Sequence, residues 1–492
     1  MKYIGSDVWI NEISSSLVSK VRSESTTLEP LHFSYNNSSN NNNIKSETTT
    51  QRRTATTMAP SITREIVFFF LAGVGSTVAW TAVLSNLVYY TSIFGTISFP
   101  VLNVAVYFPL LPTSLAQAFW DTHYDAMFGS LGAFSFRGSI AFFFMCITTL
   151  LIPLARHSLP LLTTMTFIIG TASAILYGTL NQLASLVFPD SGALPAAYTS
   201  GLQASAGLVL ITSLGTGFGG TQQHGGGVRA EWEFYGVISV LVGVSWFAFV
   251  RLISTSHSVR RSMDMRDSSL TQQDIASLSA PFLDDNSNNE AKESLGERML
   301  SSSSSSSSLM DISPSQPLPT ISDTDVTFLF LWKRTWPCCA SLIITVASSM
   351  AVASSFNQTK STNTTSDSLP RILFYVRLFS DLLGRPATLL FPPRSVSCVG
   401  LITAARLIFV PLFFLDVNNT LVLGDWGMIF GVAAFAFTSG YVATGIRQLA
   451  PNALTDTRTE VTVPKQSSLI NVSFSMAVLL GLVVTFVLLL KK

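Results

Sequence analysis

Charge is scarce in this chain. Of its 492 residues only 12% are Asp, Glu, Lys or Arg, about half the share of a soluble domain. The 29 basic and 28 acidic residues leave a net charge of +1, which argues against nucleic-acid binding. Cysteine is rare as well. Cys146, Cys338, Cys339 and Cys398 fall in or beside apolar segments, and none has Cys-x-x-Cys or Cys/His metal spacing. A disulfide framework and a structural zinc site are therefore not expected, and all four read as small buried hydrophobes. The sequence also lacks His-Glu-x-x-His, a phosphate-binding P-loop and Gly-x-Ser-x-Gly, so the common hydrolase and nucleotide-hydrolysing signatures are missing. No cofactor or metal is called for. One polar cluster keeps an enzyme reading open: Asp121, His123 and Asp125 follow the second apolar run, in an expected loop. Two carboxylates and an imidazole could ligate a metal at a membrane surface. Metal sites need three or four converging ligands with outer support, however, and short polar loops are usually just solvated.

What the sequence has in quantity is apolar runs. Hydrophobic residues make up 48% of the chain and come in blocks of roughly 20, the length that crosses a bilayer. Helices are the expected spanning element, because in lipid the backbone must satisfy its own hydrogen bonds. Eleven spans are expected, at approximately 66–90, 96–118, 138–157, 160–188, 197–218, 233–253, 337–356, 371–391, 396–416, 421–447 and 467–490. The fourth is interrupted by Asn181 and Gln182. The chain thus divides into a polar tail (1–65), a first bundle of six helices (66–253), a serine-rich linker (254–325) and a second bundle of five (326–490). The tail carries the Asn36–Asn43 tract and the linker the Ser301–Ser308 run. Both are too polar to bury a core and read as disordered. The first apolar block reads as an uncleaved anchor rather than a removed leader. Within the linker, Arg260-Arg261-Ser262 fits a basophilic kinase pattern, although chance supplies such matches where serine is abundant.

Basic residues orient the expected spans. With the N-terminus in the cytoplasm, Arg64, Arg137, Arg251, Arg266, Lys333, Arg394, Arg447 and others gather on the inner side, as the positive-inside rule favours. An odd number of spans then puts the C-terminus outside. Asn357-Gln-Thr359, Asn363-Thr-Thr365 and Asn418-Asn-Thr420 are glycosylation patterns in loops assigned to that side. Passage through the secretory route follows, with the plasma membrane as the expected destination and an organelle membrane as the alternative.

The most informative segment is Val376-Arg-Leu-Phe-Ser-Asp-Leu-Leu-Gly-Arg385. It puts Asp381 and Arg385 inside a span, where ionisable groups are costly and usually face a bundle interior or a wet cavity. Four residues apart, they share one helix face. The pair is neutral and offers carboxylate acceptors beside guanidinium donors, a combination suited to an uncharged, polyhydroxylated ligand. A structural ion pair that locks helix packing is the other reading.

Leu378-Phe-Ser-Asp-Leu-Leu-Gly-Arg385 resembles the Asp-x-x-Gly-Arg signature in the eighth helix of equilibrative nucleoside transporters. Ala405-Arg-Leu-Ile-Phe-Val-Pro-Leu-Phe413 is similar to that family's ninth helix, and Ala433-Ala-Phe-Ala-Phe-Thr-Ser-Gly-Tyr441 with Ala450-Pro451 to its tenth. Gly73-Val-Gly-Ser-Thr-Val-Ala-Trp80 resembles the first helix, and Ala174-Ile-Leu-Tyr-Gly-Thr-Leu180 more loosely the fourth. The resemblance implies an all-α polytopic fold with a major-facilitator-like arrangement of 6 + 5 helices. It implies transport of nucleosides, possible also for nucleobases, down a gradient by alternating access. It further implies that Asp381 and Arg385 hold the ribose and that Trp80 lines the cavity and stacks on the base. Two positions depart from the family. The asparagine common three residues before the aspartate is Leu378 here, and a base-reading glutamine in helix four aligns with Tyr177. Asn181 and Gln182, about one turn on, are substitute base contacts. Base preference, proton coupling through Asp381, and transport of another polar solute such as a sugar all remain open on these residues. Arg406 in the ninth span, and Gly73, Gly75, Gly201, Gly207 and Gly440, read as packing residues.

Overall fold

In the computed structural model the described residues are 59–95, 97–187, 192–218, 227–279, 328–354, 356, 359, 369–417, 424–454 and 462–490. The Asn36–Asn43 and Ser301–Ser308 tracts and most of the three glycosylation patterns lie outside them. The described fold is helical. In chain order the helices are α1 (Ala59–Ser85), α2 (Leu87–Phe94), α3 (Ser98–Tyr107), α4 (Leu110–Phe128), α5 (Ser130–Leu151), α6 (Leu159–Val187), α7 (Ala193–Thr216), α8 (Val228–Thr255) and α9 (His257–Ser279). The second half adds α10 (Phe328–Ser354), α11 (Leu369–Leu390), α12 (Val396–Leu407), α13 (Phe409–Val417), α14 (Gly424–Leu449) and α15 (Thr462–Leu490).

Ten of the described helical segments are long and apolar enough to cross a membrane. The eleventh expected span is α11, whose Arg371, Arg377, Asp381 and Arg385 deny it an apolar stretch. Its 22 residues still extend about 33 Å, enough to cross the hydrocarbon layer. It packs between α7 and α14. The close approach to α14 depends on glycine. A Cβ on Gly384 would overlap the Phe437 carbonyl, and one on Gly440 the Asp381 carbonyl. Gly73 and Gly201 play the same part between α1 and α7. Gly207 does not, because nothing lies near it.

Two expected spans are broken where proline dictates. Proline lacks the N–H of the helix ladder, and its ring clashes with the carbonyl four residues back. Pro112 thus disfavours helix at Phe108, and Pro411 at Leu407, and the breaks fall at Phe108–Pro109 and Ile408. The first span ends early because Asn86 leaves the helical region and its amide donates back to the Ala82 carbonyl at 2.8 Å. The fourth span is intact despite Asn181 and Gln182. Both are buried, and each has a partner on α15.

The segment from 254 does not begin as a disordered linker. It forms α9, a polar helix packed on α4, α5 and α6. Ser262 is buried in it, contrary to what an accessible kinase site requires.

Candidate functional site

At mid-length of the long helices lies a cavity of about 300 Å³, near the lower limit for small-molecule pockets. Its wall includes Trp80 from α1, Tyr107 from α3, Tyr177 from α6, Gln203 from α7, Asp381 and Arg385 from α11, and Arg447 from α14. All four residues singled out from the sequence (Asp381, Arg385, Trp80 and Tyr177) therefore border one space.

The i,i+4 spacing on α11 brings the charged pair together. Arg385 donates to Asp381 Oδ2 through Nε at 3.2 Å and Nη2 at 2.9 Å. Its Nη1 donates to the Thr199 carbonyl at 2.8 Å, tying α11 to α7. Each side chain keeps 13% exposure, so the pair edges the cavity and is not sealed in a dry seam.

Trp80 meets Tyr107 edge to face, with ring centroids 5.4 Å apart and planes at 70°. Tyr177 stacks on Phe474 at 4.9 Å. Its hydroxyl accepts a hydrogen bond from Arg447, which also donates to the Ala443 carbonyl at 2.7 Å. Arg447, counted from sequence as an inner-surface charge, is thus a buried wall residue. Gln203 and Arg377 also border the cavity and went unrecognised. Arg377 stood inside the quoted motif, and its i−4 relation to Asp381 was the available signal. The Asp381–Arg385 pair is neutral, but Arg377 and Arg447 add two further guanidinium groups to the wall.

Asn181 and Gln182 do not reach the cavity. They belong to a polar seam between the two halves of the chain. Asn181 donates to Asn471 at 2.7 Å, Gln182 to Ser468 at 2.7 Å, and Ser185 and Ser467 share a bond of 2.7 Å. Thr199 and Thr444 pair at 3.1 Å, and Gln448 reaches the Gly192 carbonyl at 3.0 Å. Every one of these contacts joins a residue before 217 to one after 423.

Arg406 is a packing residue. It donates to the Thr345 carbonyl, the Ser349 hydroxyl and the Phe435 carbonyl, and lies 4.2 Å over the Phe435 ring. The Asp121, His123 and Asp125 cluster is on α4, not in a loop, and it does not converge. Asp121 and Asp125 are buried and paired with Arg137, and Asp125 also takes Arg266 Nη2 at 2.5 Å; His123 is exposed. Carboxylates neutralised by arginine do not present a ligand set to a cation. No group of three metal-ligating side chains occurs among the described residues. Burial pushes the Asp125 carboxyl up to about 6, with Arg266 and then Arg137 opposing the rise.

Comparison with known proteins agrees with this architecture. The solved proton:xylose symporter XylE, bound to 6-bromo-6-deoxy-D-glucose, superposes with a TM-score of 0.52 at 9% identity, over 88% of this chain and 89% of its own. A variant of the E. coli fucose:proton symporter FucP superposes with a TM-score of 0.50 at 12% identity, over 88% of this chain and 97% of its own. Such low identity establishes the fold alone, that of the major facilitator superfamily. No curated protein matches the sequence. A statistical model of the family described as "Nucleoside transporter" matches residues 163–490, more than half of the chain. This multi-pass membrane transporter belongs to the nucleoside transporter family.

Proposed function

We propose that this transporter moves nucleosides, and nucleobases, down their gradient by exposing the central cavity to each side in turn. One observation carries the site assignment: Asp381 and Arg385 are paired at the edge of a cavity walled by aromatic rings. Asp381 accepts from the vicinal ribose hydroxyls, while Arg385 donates to sugar oxygens and fixes the carboxylate. Trp80 stacks on the base. Tyr177 already accepts from Arg447, so its own phenolic proton is left to donate to a base acceptor. The seam between the two halves of the chain then acts as the closed gate of one state. With the N-terminus in the cytoplasm that gate is cytoplasmic, and the plasma membrane is the assigned location.

The test is uptake of labelled uridine and adenosine into proteoliposomes without an ion gradient, comparing wild type with Asp381→Ala and Arg385→Ala. Flux in wild type and its loss in both variants, with normal folding, supports the reading. Flux that needs an ion gradient removes the gradient-driven mechanism. Equal flux in all three removes the site.

A further inference from the structure

The cavity wall holds Arg377, Arg385 and Arg447 against the single carboxylate of Asp381. Two of these arginines are engaged: Arg385 with Asp381 and the Thr199 carbonyl, and Arg447 with Tyr177 and the Ala443 carbonyl. Arg377 differs. Among the described residues it makes no hydrogen bond and no ion pair within 4 Å, although it lies one turn before Asp381 on the same face of α11. Its electrostatic neighbours are Asp381, Tyr107 and the like-charged Arg406, and Tyr107 is the residue whose ring meets Trp80. Arg377 thus borders the same cavity as Tyr107 and Trp80, where the base is proposed to sit.

An unpartnered guanidinium between hydrophobic walls attracts negative charge more strongly than it would in water. A neutral base leaves it unpaired. A base bearing an anionic oxygen or carboxylate supplies a planar acceptor that matches its fork of donors. We propose that the cavity prefers nucleosides or nucleobases whose ring system carries a negative charge at neutral pH, such as ionised oxopurines or carboxylated pyrimidines, with Arg377 reading that charge. This inference rests on the cavity being the nucleoside site.

The test is equilibrium binding to the purified full chain in detergent, with xanthosine and orotidine as anionic-base probes, uridine as the neutral probe, and uridine 5′-monophosphate as an anion charged at the other end. The anionic bases are expected to bind roughly tenfold or more tighter than uridine, the worth of one charge-assisted hydrogen bond. Arg377→Met brings that ratio close to one, and Arg377→Lys keeps most of it. In mild acid, xanthosine regains its ring proton and loses the preference, while orotidine, a stronger acid, keeps it. Because the readout is a ratio within each variant, partial loss of folded protein does not mimic the result. The proposal is overturned if uridine binds as tightly as the anionic bases, if the ratio survives Arg377→Met, if only the 5′-phosphate is preferred, or if no probe binds. Failure of the transport reading looks different: no nucleoside crosses the membrane, yet the charge preference persists in binding.

Discussion

Arg385 holds Asp381 by one oxygen only. Both of its hydrogen bonds end on Oδ2, and Oδ1 accepts none among the described residues. The carboxylate is thus oriented through one oxygen and keeps unused acceptor capacity on the other. An acceptor held in place but not used up is what a sugar hydroxyl requires.

Asp381→Asn keeps the size of the side chain and removes the charge on that open acceptor. A hydrogen bond to a charged group is worth about 1.5–3 kcal/mol. Uptake efficiency for uridine, measured as initial rates in proteoliposomes, is expected to fall by roughly tenfold to a hundredfold.

Arg385→Lys retains the charge but not the geometry. A lysine ammonium cannot address Asp381, the Thr199 carbonyl and Gln203 in one plane as the guanidinium does. Substrate affinity is expected to drop by about tenfold, with little change in thermal stability. Affinity equal to wild type would show that charge alone suffices there.

Gly384→Ala tests the interlock of α11 with α14. The new methyl meets a backbone carbonyl, which cannot rotate away. Overpacking of this kind costs about 1–3 kcal/mol. A lower unfolding temperature in detergent is expected, whereas Gly207→Ala, with nothing near it, should leave that temperature unchanged.

The carboxyl of Asp125 gives a pH signature outside the membrane-spanning segments. Its native value is raised to about 6 from an unfolded value of about 4. Between those values the native state holds a proton that the unfolded chain has lost, so this group's contribution to stability falls as pH rises through that window and levels off above it. Arg266 is the strongest influence opposing the rise. Arg266→Met should therefore move the upper edge of the window to higher pH, read from unfolding temperature against pH for both proteins.

Asn181→Leu combined with Asn471→Leu replaces the amide pair of the seam by apolar contact. Opening the seam then exposes hydrocarbon to water, at about 25 cal/mol per Å². Nucleoside turnover is expected to slow several-fold while equilibrium binding persists. Faster turnover would mean that the amides brace the open form instead.

The sequence disclosed most where residues conflict with their surroundings. Asp381 and Arg385 stand out because two opposite charges one turn apart in an apolar run need a reason. Ten of the eleven expected spans were readable from run length, and the breaks near Phe108 and Ile408 follow from proline chemistry. Arg447 and Arg266 are buried, which the sequence did not disclose, because counting charges near span ends gives a side and not a depth. Asp121 and Asp125 looked like loop residues because their partners, Arg137 and Arg266, are 12 or more positions away in the chain. Arg377 shares the Asp381 face at i−4, but only its place in the cavity wall distinguishes it from a packing arginine such as Arg406. Helix α9 was hidden by its polar composition, since its buried face is a thin stripe of Val259, Met263 and Leu270 interrupted by the ion-paired Arg266.

The seam's make-up also bears on speed. Hydroxyls and amides that release one another find water ready as a replacement, so each exchange is nearly even. A greasy closure of equal area would resist wetting and demand an outside push. If transport is gradient-driven as proposed, a zipper of small polar teeth that unfastens under thermal agitation alone lets the carrier cycle in either direction.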